Sequence, residues 1–113
     1  MKRIYVSGPI GGRVNGNMAA FAAAAAELRA QGFESVNPHD ISADHVGPCA
    51  QGKPSHLADD KHVYGCYLLQ DIVALAECDG LYALKDWRLS PGARAEVAFA
   101  EALGLDISYE EEK

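Results

Sequence analysis

The clearest structural signal in this chain is the stretch Ile4-Tyr5-Val6-Ser7-Gly8-Pro9. Its first three residues are β-branched or aromatic and favour a buried strand, and the Ser-Gly-Pro that follows favours a turn. After the glycine-rich loop 8–16, Asn17 is placed to cap a helix whose apolar residues recur every three or four positions. The chain therefore begins with a predicted strand, a glycine-rich loop and a helix.

The same alternation continues to the end of the chain. Further strands are predicted over 33–37, 80–84 and 105–109, with helices over 61–77 and 91–103 between them. Strands that alternate with helices form right-handed crossovers and a parallel sheet covered on both faces. We therefore predict one α/β domain over residues 1–113, a three-layer flavodoxin-like or Rossmann-like fold with four or five strands in the order 2-1-3-4.

Two segments lie outside this alternation of strands and helices. Glycines and a serine predict where the helices end and begin. Residues 39–60 are predicted to form a long loop, and 110–113 an acidic tail. Gly32 and Gly104 are predicted to end helices, and Ser90 with Pro91 to start the last one. Loops as long as 39–60 are uncommon in compact domains and are often binding segments or partly disordered.

Composition excludes several classes of function. The 113 residues suit one domain, 49% of them are apolar, and a net charge of −6 without a basic stripe argues against binding a nucleic acid polymer. The three cysteines match no zinc or redox spacing, the amino terminus has no signal-peptide core, and no segment reaches the ~20 apolar residues of a membrane span. We expect a cytoplasmic protein with reduced thiols, no membrane association, no cofactor and no metal site.

Ligands of such sheets bind beyond the carboxyl ends of the strands, where the strand order reverses, and here that is between strands one and three. Glycines in the loop 8–13 would allow positive φ and let backbone N–H groups approach an anion, with Arg13 adding charge. The spacing is that of neither a dinucleotide fingerprint nor a P-loop, so a plain structural turn fits equally well. Ser90 begins a helix that is a second candidate anion site. His39 is either a ligand contact or an ordinary loop residue.

Two acidic residues are the candidate reactive groups. Glu96 and Asp71 both lean toward the apolar stripes of their helices, where an unpaired carboxylate costs free energy. Helical spacing alone is also compatible with a solvated Glu96 and with an Asp71 that pairs with a local base. Two carboxylates from neighbouring helices would suit glycosyl chemistry, among other two-carboxylate reactions.

Three segments together resemble the nucleoside 2-deoxyribosyltransferase superfamily: 5–10, 69–79 and 90–96. The chain is most similar to a branch of short phage and bacterial proteins of unassigned function, which has matching residues at Trp87, Ser90, Gly92-Ala93 and Glu96. The deoxynucleoside 5′-monophosphate N-hydrolases are a second similar branch, although Pro9 stands where they have a small hydroxyl residue.

The resemblance implies a role for each candidate residue. It implies that Glu96 is the nucleophile, that Asp71 handles the proton at the leaving base, and that Tyr5 supports the nucleophile. It places Gly8 to Gly12 and Ser90 around the sugar 5′ position. The substrate-binding residues that we expect are Ser7, Gly8, Pro9, Ile10, Gly11, Gly12, Arg13, His39, Trp87, Ser90 and Gly92.

The leading hypothesis is cleavage or transfer of the N-glycosidic bond of a nucleoside or nucleoside 5′-monophosphate through a covalent glycosyl–glutamate intermediate. A non-catalytic module that binds a nucleotide-like metabolite in the same cleft is the alternative, and a purely structural role is the third. In each of the first two cases the partner is a small molecule. Because members of the family assemble, we also expect a homodimer or a larger homo-oligomer.

Overall fold

The structure is a computed structural model that describes residues 2–10, 17–38 and 64–110, with backbone alone for 64–68. The strands are β1 (Arg3–Ser7), β2 (Glu34–Val36), β3 (Gly80–Ala83) and β4 (Asp106–Tyr109), and the helices are α1 (Met18–Ala30), α2 (Tyr64–Ala76) and α3 (Pro91–Leu103). A short 3-10 turn, Trp87–Leu89, lies inside the predicted loop before α3. The predicted loop 39–60 and residues 111–113 of the acidic tail lie outside the described residues.

The four strands form one parallel sheet in the order β2-β1-β3-β4, which confirms the predicted order. In this sheet β1 lies beside β3, with Tyr5 opposite Leu81 and Ser7 opposite Ala83. The carboxyl ends of β1 and β3 therefore meet at one edge. This is the switch point at which parallel sheets bind ligands.

Side chains that alternate along the strands separate the core into two layers. Tyr5, Leu81 and Ala83 face α2 and α3, where they pack with Leu75 and Val97. The intervening positions face the other way, and a second cluster forms against α1, made of Val6, Phe21, Ala24, Leu28, Tyr82 and Leu84. Because successive residues of a strand point to opposite faces, β1 presents Tyr5 and Ser7 to the same layer.

The helix ends follow the predicted signals with one exception. Gly32 and Gly104 have left-handed φ values of 92° and 76° just after α1 and at the end of α3. Asn17 was expected to cap α1, but it is itself left-handed and makes no capping hydrogen bond. Its side-chain amide instead donates to the Pro9 carbonyl at 3.0 Å, which joins the start of α1 to the end of β1. None of the helices in the described ranges is long and apolar enough to cross a membrane.

The packing around position 8, rather than a positive φ, requires a glycine there. Its φ is not among the positive values of the described residues, so it does not use the conformational freedom of glycine. A Cβ atom at this position would lie 2.8 Å from the Leu84 Cβ, which is closer than real side chains approach. Gly8 therefore allows the residue that follows β1 to pack tightly against the residue that follows β3.

Candidate active site

The centre of the candidate site is the carboxylate of Glu96, which lies in the second turn of α3 and is 5% exposed. The Tyr5 hydroxyl donates to Glu96 Oε2 at 2.6 Å, and the Ser7 hydroxyl donates to Oε1 at 2.7 Å. Both donors come from the face of β1 that is turned toward α3. Each oxygen of Glu96 is thus bound by one buried hydroxyl group.

Burial and these two bonds act in opposite directions on the charge of Glu96. Burial raises the pKa of its carboxyl group, while the hydrogen bonds from Tyr5 and Ser7 oppose that rise by favouring the charged form. Burial raises the pKa of Tyr5 well above its ordinary value, and the charge of Glu96 raises it further. Tyr5 therefore keeps its proton and remains a donor to the carboxylate.

The second carboxyl group is that of Asp71 on α2, the helix that packs beside α3. Asp71 is buried, and within the described ranges its Oδ1 has no hydrogen-bond partner. Burial, and then the neighbouring charge of Glu96, raise the pKa of Asp71 from 3.8 to about 8. Asp71 consequently holds a proton at neutral pH.

The structure thus brings together the three residues that the sequence suggested for the chemistry, namely Tyr5, Asp71 and Glu96. Two carboxyl groups with different environments have different protonation, so one suits the role of a nucleophile and the other that of an acid. Such a pair can perform acid-assisted displacement at a carbon that bears a leaving group. In the described parts of the chain, no group of three His, Cys, Asp or Glu side chains is arranged to hold a metal ion.

The first turn of α3 lies next to this pair. Ser90 precedes the helix, and its hydroxyl oxygen accepts a hydrogen bond from the Ala93 backbone N–H at 3.2 Å. Gly92 and Ala93 are buried in the same turn. The small residues let the start of α3 pack against the core, close to the carboxyl ends of β1 and β3.

Trp87 precedes α3 and packs on the cluster that contains Tyr5 and Leu75. Its ring lies 5.6 Å from that of Tyr109, and the Arg88 guanidinium carbon is 4.7 Å from its centroid. Its indole Nε1 is buried and, in the described part of the chain, has no hydrogen-bond partner. Trp87 therefore has an unused donor at the same end of the sheet as the candidate site.

Of the remaining residues that are expected to bind the substrate, some lie within the described ranges and some lie outside them. Pro9 is buried, and Ile10 is partly buried and packs against the α1 cluster. Four predicted binding residues lie outside the described residues: Gly11, Gly12, Arg13 and His39.

Sequence reasoning missed three structural contacts around the site. These are the Asn17 bond to Pro9, the packing of Gly8 on Leu84, and the bond from the Lys85 backbone N–H to the Glu110 carboxylate at 2.7 Å. No spacing rule connects residues of different elements, so no sequence signal pointed to these contacts. Strand period indicates only that Tyr5 and Ser7 share a face of β1, and it does not specify that both meet Glu96.

A cavity of about 360 Å³ lies elsewhere, on the side of the sheet that faces α1. Its lining includes Leu28, Phe33 and Tyr82 and does not include Asp71 or Glu96. The carboxylate pair is therefore separate from this cavity.

Solved structures show which fold this arrangement belongs to. The 2-desoxiribosyltransferase from Leishmania mexicana superposes with a TM-score of 0.66 at 18% sequence identity, over 96% of this chain and 63% of that one. The 2-deoxyribosyltransferase from Bacillus psychrosaccharolyticus gives a TM-score of 0.65 at 15% identity, over 95% of this chain and 70% of that one. This chain thus spans slightly less than two thirds of the Leishmania enzyme, and the likeness confirms the predicted fold.

No curated protein matches the sequence. A family model does match, over residues 2–109, which is nearly the whole chain. The predicted resemblance to a branch of unassigned function is consistent with this match. The chain belongs to the family described as "Domain of unknown function (DUF4406)".

Proposed function

We propose that this protein cleaves or transfers the N-glycosidic bond of a nucleoside or nucleoside 5′-monophosphate, with Glu96 as the nucleophile. The observation that carries the proposal is the buried Glu96 carboxylate, held by Tyr5 and Ser7 beside an Asp71 that retains its proton. That pair alone would also suit other two-carboxylate reactions. The fold, shared with two 2-deoxyribosyltransferases, favours nucleoside chemistry among them.

In the first step, an oxygen of Glu96 attacks the anomeric carbon of the sugar. A bond forms between that oxygen and C1′ while the bond from C1′ to the base nitrogen breaks, and the electron pair leaves with the base. Asp71 donates its proton to the departing base, which leaves as a neutral molecule. The products of this step are a glycosyl ester on Glu96 and an ionised Asp71.

In the second step, the acceptor attacks C1′ and the ester bond breaks, which restores the Glu96 carboxylate. The proton lost by the acceptor returns to Asp71. Water as the acceptor gives hydrolysis, whereas the nitrogen of a second base gives transfer. During both steps Tyr5 supports Glu96, because its hydroxyl group stabilises the negative charge whenever the carboxylate is free.

The residues around the first turn of α3 are proposed to bind the substrate. Ser90 and Gly92 lie at a helix start whose backbone N–H groups favour an anionic or hydroxyl group, such as the sugar 5′ end. The buried indole N–H of Trp87, which has no partner among the described residues, is proposed to donate to an acceptor on the ligand. The loop 8–13 and His39 complete the proposed set.

Self-association is part of the proposal. The outer surface of α2 exposes Leu69 by 40% and Val73 by 59%, and Asp71, which faces inward, is the only charged residue in the helix. A surface helix normally carries charged residues on its outer face. We propose that a second copy of the chain covers this face.

The experiment that tests the proposed reaction is the substitution Glu96→Gln. The protein is incubated with 2′-deoxynucleosides, ribonucleosides and their 5′-monophosphates, and free base is measured by chromatography. The substitution preserves side-chain volume and removes the nucleophile, so turnover should fall at least ~100-fold. Acid-quenched wild-type protein should also carry a glycosyl group on the peptide that contains Glu96, detected by mass spectrometry.

Glu101→Gln is the matched control, because Glu101 is an exposed glutamate of the same helix. It should leave turnover unchanged, and both variants should melt cooperatively. Full turnover by Glu96→Gln would contradict the proposed reaction. Saturable ligand binding without release of base from any compound would instead support the non-catalytic binding module.

A further inference from the structure

The hydroxyl group of Ser7 is completely inaccessible to solvent and is directed at Glu96. Ser7 is 0% exposed at the carboxyl end of β1, and its Oγ lies 2.7 Å from Glu96 Oε1. The other oxygen, Oε2, is bound by Tyr5. A carboxylate that accepts one bond at each oxygen is fixed in rotation about its terminal torsion, which is otherwise broad.

We propose that Ser7 is a positioning residue that fixes the orientation and the charge of the Glu96 carboxylate, rather than a residue that contacts the substrate. This inference rests on the proposed function, because it assigns Ser7 a role in preparing the nucleophile. It differs from the sequence-based expectation, which placed Ser7 among the substrate contacts. Its basis is the geometry of two buried hydroxyl groups on one carboxylate.

The charge of Glu96 depends on the groups that surround it. The β1 strand contributes Tyr5 and Ser7, α2 contributes Asp71, and β3 contributes the apolar Leu81 and Ala83 on this face. Cys78, which lies just after α2, contributes to raising the pKa of Tyr5. The other charged residues of α3, Arg94 and Glu101, are exposed.

Among these groups, those that favour the ionised form of Glu96 are the two hydroxyl donors. Burial opposes ionisation, and the hydrogen bonds from Tyr5 and Ser7 lower the pKa of Glu96 against it. If Ser7 were absent, Tyr5 would be the donor that remains among the described residues, and the proton would be shared more evenly between Glu96 and Asp71. The nucleophile would then be neutral in a larger fraction of molecules at neutral pH.

The test is a direct titration of Glu96 by NMR in protein labelled with ¹³C at glutamate side-chain carboxyl groups. The Glu96 signal is identified by its loss in Glu96→Gln, and its midpoint is followed with pH in the wild type, Ser7→Ala and Ser7→Cys. A hydrogen bond to a charged group is strong enough that Ser7→Ala should move the midpoint upward by about one pH unit. Ser7→Cys retains a weaker donor and should give an intermediate midpoint.

Ser108→Ala is the matched control, because Ser108 is exposed on β4 and should leave the midpoint unchanged. For any compound that the protein turns over, Ser7→Ala should shift the acid limb of kcat/KM upward by the same amount and leave KM nearly unchanged. An unchanged Glu96 midpoint in a folded Ser7→Ala variant would overturn the inference. This titration needs no substrate, so it is separate from the Glu96→Gln turnover that decides the proposed function.

Discussion

Asp71 is a buried carboxyl group that lies near a second acid, Glu96. Its pKa of about 8 means that the native protein holds a proton that the unfolded chain, with a pKa near 3.8, releases at much lower pH. Folding therefore takes up a proton across this interval. The contribution of Asp71 to the free energy of unfolding therefore decreases as the pH rises from about 4 to about 8.

This linkage predicts that Asp71→Asn stabilises the protein at neutral pH. Asparagine has nearly the same volume and no charge, so it avoids the cost of burying a carboxyl group that tends to ionise. At pH 7.5 we expect a gain of at least about 1 kcal/mol, roughly the value of one pKa unit, and a much smaller gain near pH 4. Urea unfolding at both pH values measures it.

Asp106→Asn provides the comparison, because Asp106 is exposed on β4 and its substitution should leave stability nearly unchanged. A gain for Asp71→Asn that is equal at both pH values would contradict the linkage. The same substitution removes the proposed acid, so turnover should decrease while stability increases. Such an opposition is common where a catalytic group is held in an unfavourable environment.

Among single residues, the sequence predicted that Glu96 and Asp71 lean inward, and both are buried, but it did not specify the attachments around them. Glu96 and Asp71 could be recognised because each leans toward an apolar stripe. The bond from Ser7 to Glu96 depends on the alignment of β1 with α3, which no helical or strand period specifies. The packing of Gly8 on Leu84 depends in the same way on the register between β1 and β3.

At the scale of elements, α3 has the bounds that its sequence predicted. Ser90 caps the helix, Pro91 is its first residue and Gly104 ends it in a left-handed conformation. These signals are local, since each acts through backbone groups within a few residues. The start of α1 was harder to predict, because Asn17 uses its amide for the Pro9 carbonyl rather than for the helix.

Two substitutions at Ser90 separate its structural role from its proposed binding role. Ser90→Ala removes the cap and should cost about 1 kcal/mol of stability. Ser90→Asp keeps a capping oxygen and should restore most of that loss, while its charge repels an anion at the helix start. The Asp variant should therefore bind a nucleoside 5′-monophosphate more weakly than the wild type does, with little change for the parent nucleoside.

Fluorescence of the single tryptophan, Trp87, provides the binding measurement, since this residue precedes the same helix. Urea unfolding of the wild type and both variants provides the stability measurement. Equal weakening of both ligands by Ser90→Asp would contradict a phosphate at the start of α3. It would leave the sugar as the group nearest to Ser90.

At the scale of the whole molecule, the strand order and the division into two helical layers could be predicted because both follow from alternation. Right-handed crossovers place α1 on one face and α2 with α3 on the other. The order β2-β1-β3-β4 places β1 beside β3, and Tyr5 on β1 faces the layer of α2 and α3, which carry Asp71 and Glu96. The cavity on the α1 side could not be predicted, because it depends on how far one helix covers the sheet.

The exposed face of α2 leads to a prediction about assembly. We expect the wild-type protein to be a dimer or larger in solution and Val73→Lys to lower its mass, because a lysine in an apolar contact between copies costs free energy. Light scattering coupled to size-exclusion chromatography measures the mass. Ala23→Lys, at an exposed position of α1, should leave it unchanged. A monomeric wild-type protein would contradict this prediction.

The distance along the chain between Glu96 and its two donors has a consequence for how the protein matures. Tyr5 precedes Glu96 by 91 residues and Ser7 precedes it by 89, so both bonds join the first strand to the last helix. During synthesis, Tyr5 and Ser7 can form these bonds only after the residues of α3 have been made. A chain in which α3 has not yet packed on β1 therefore lacks the two hydrogen bonds that hold Glu96, and we expect the proposed reaction only after that packing is complete.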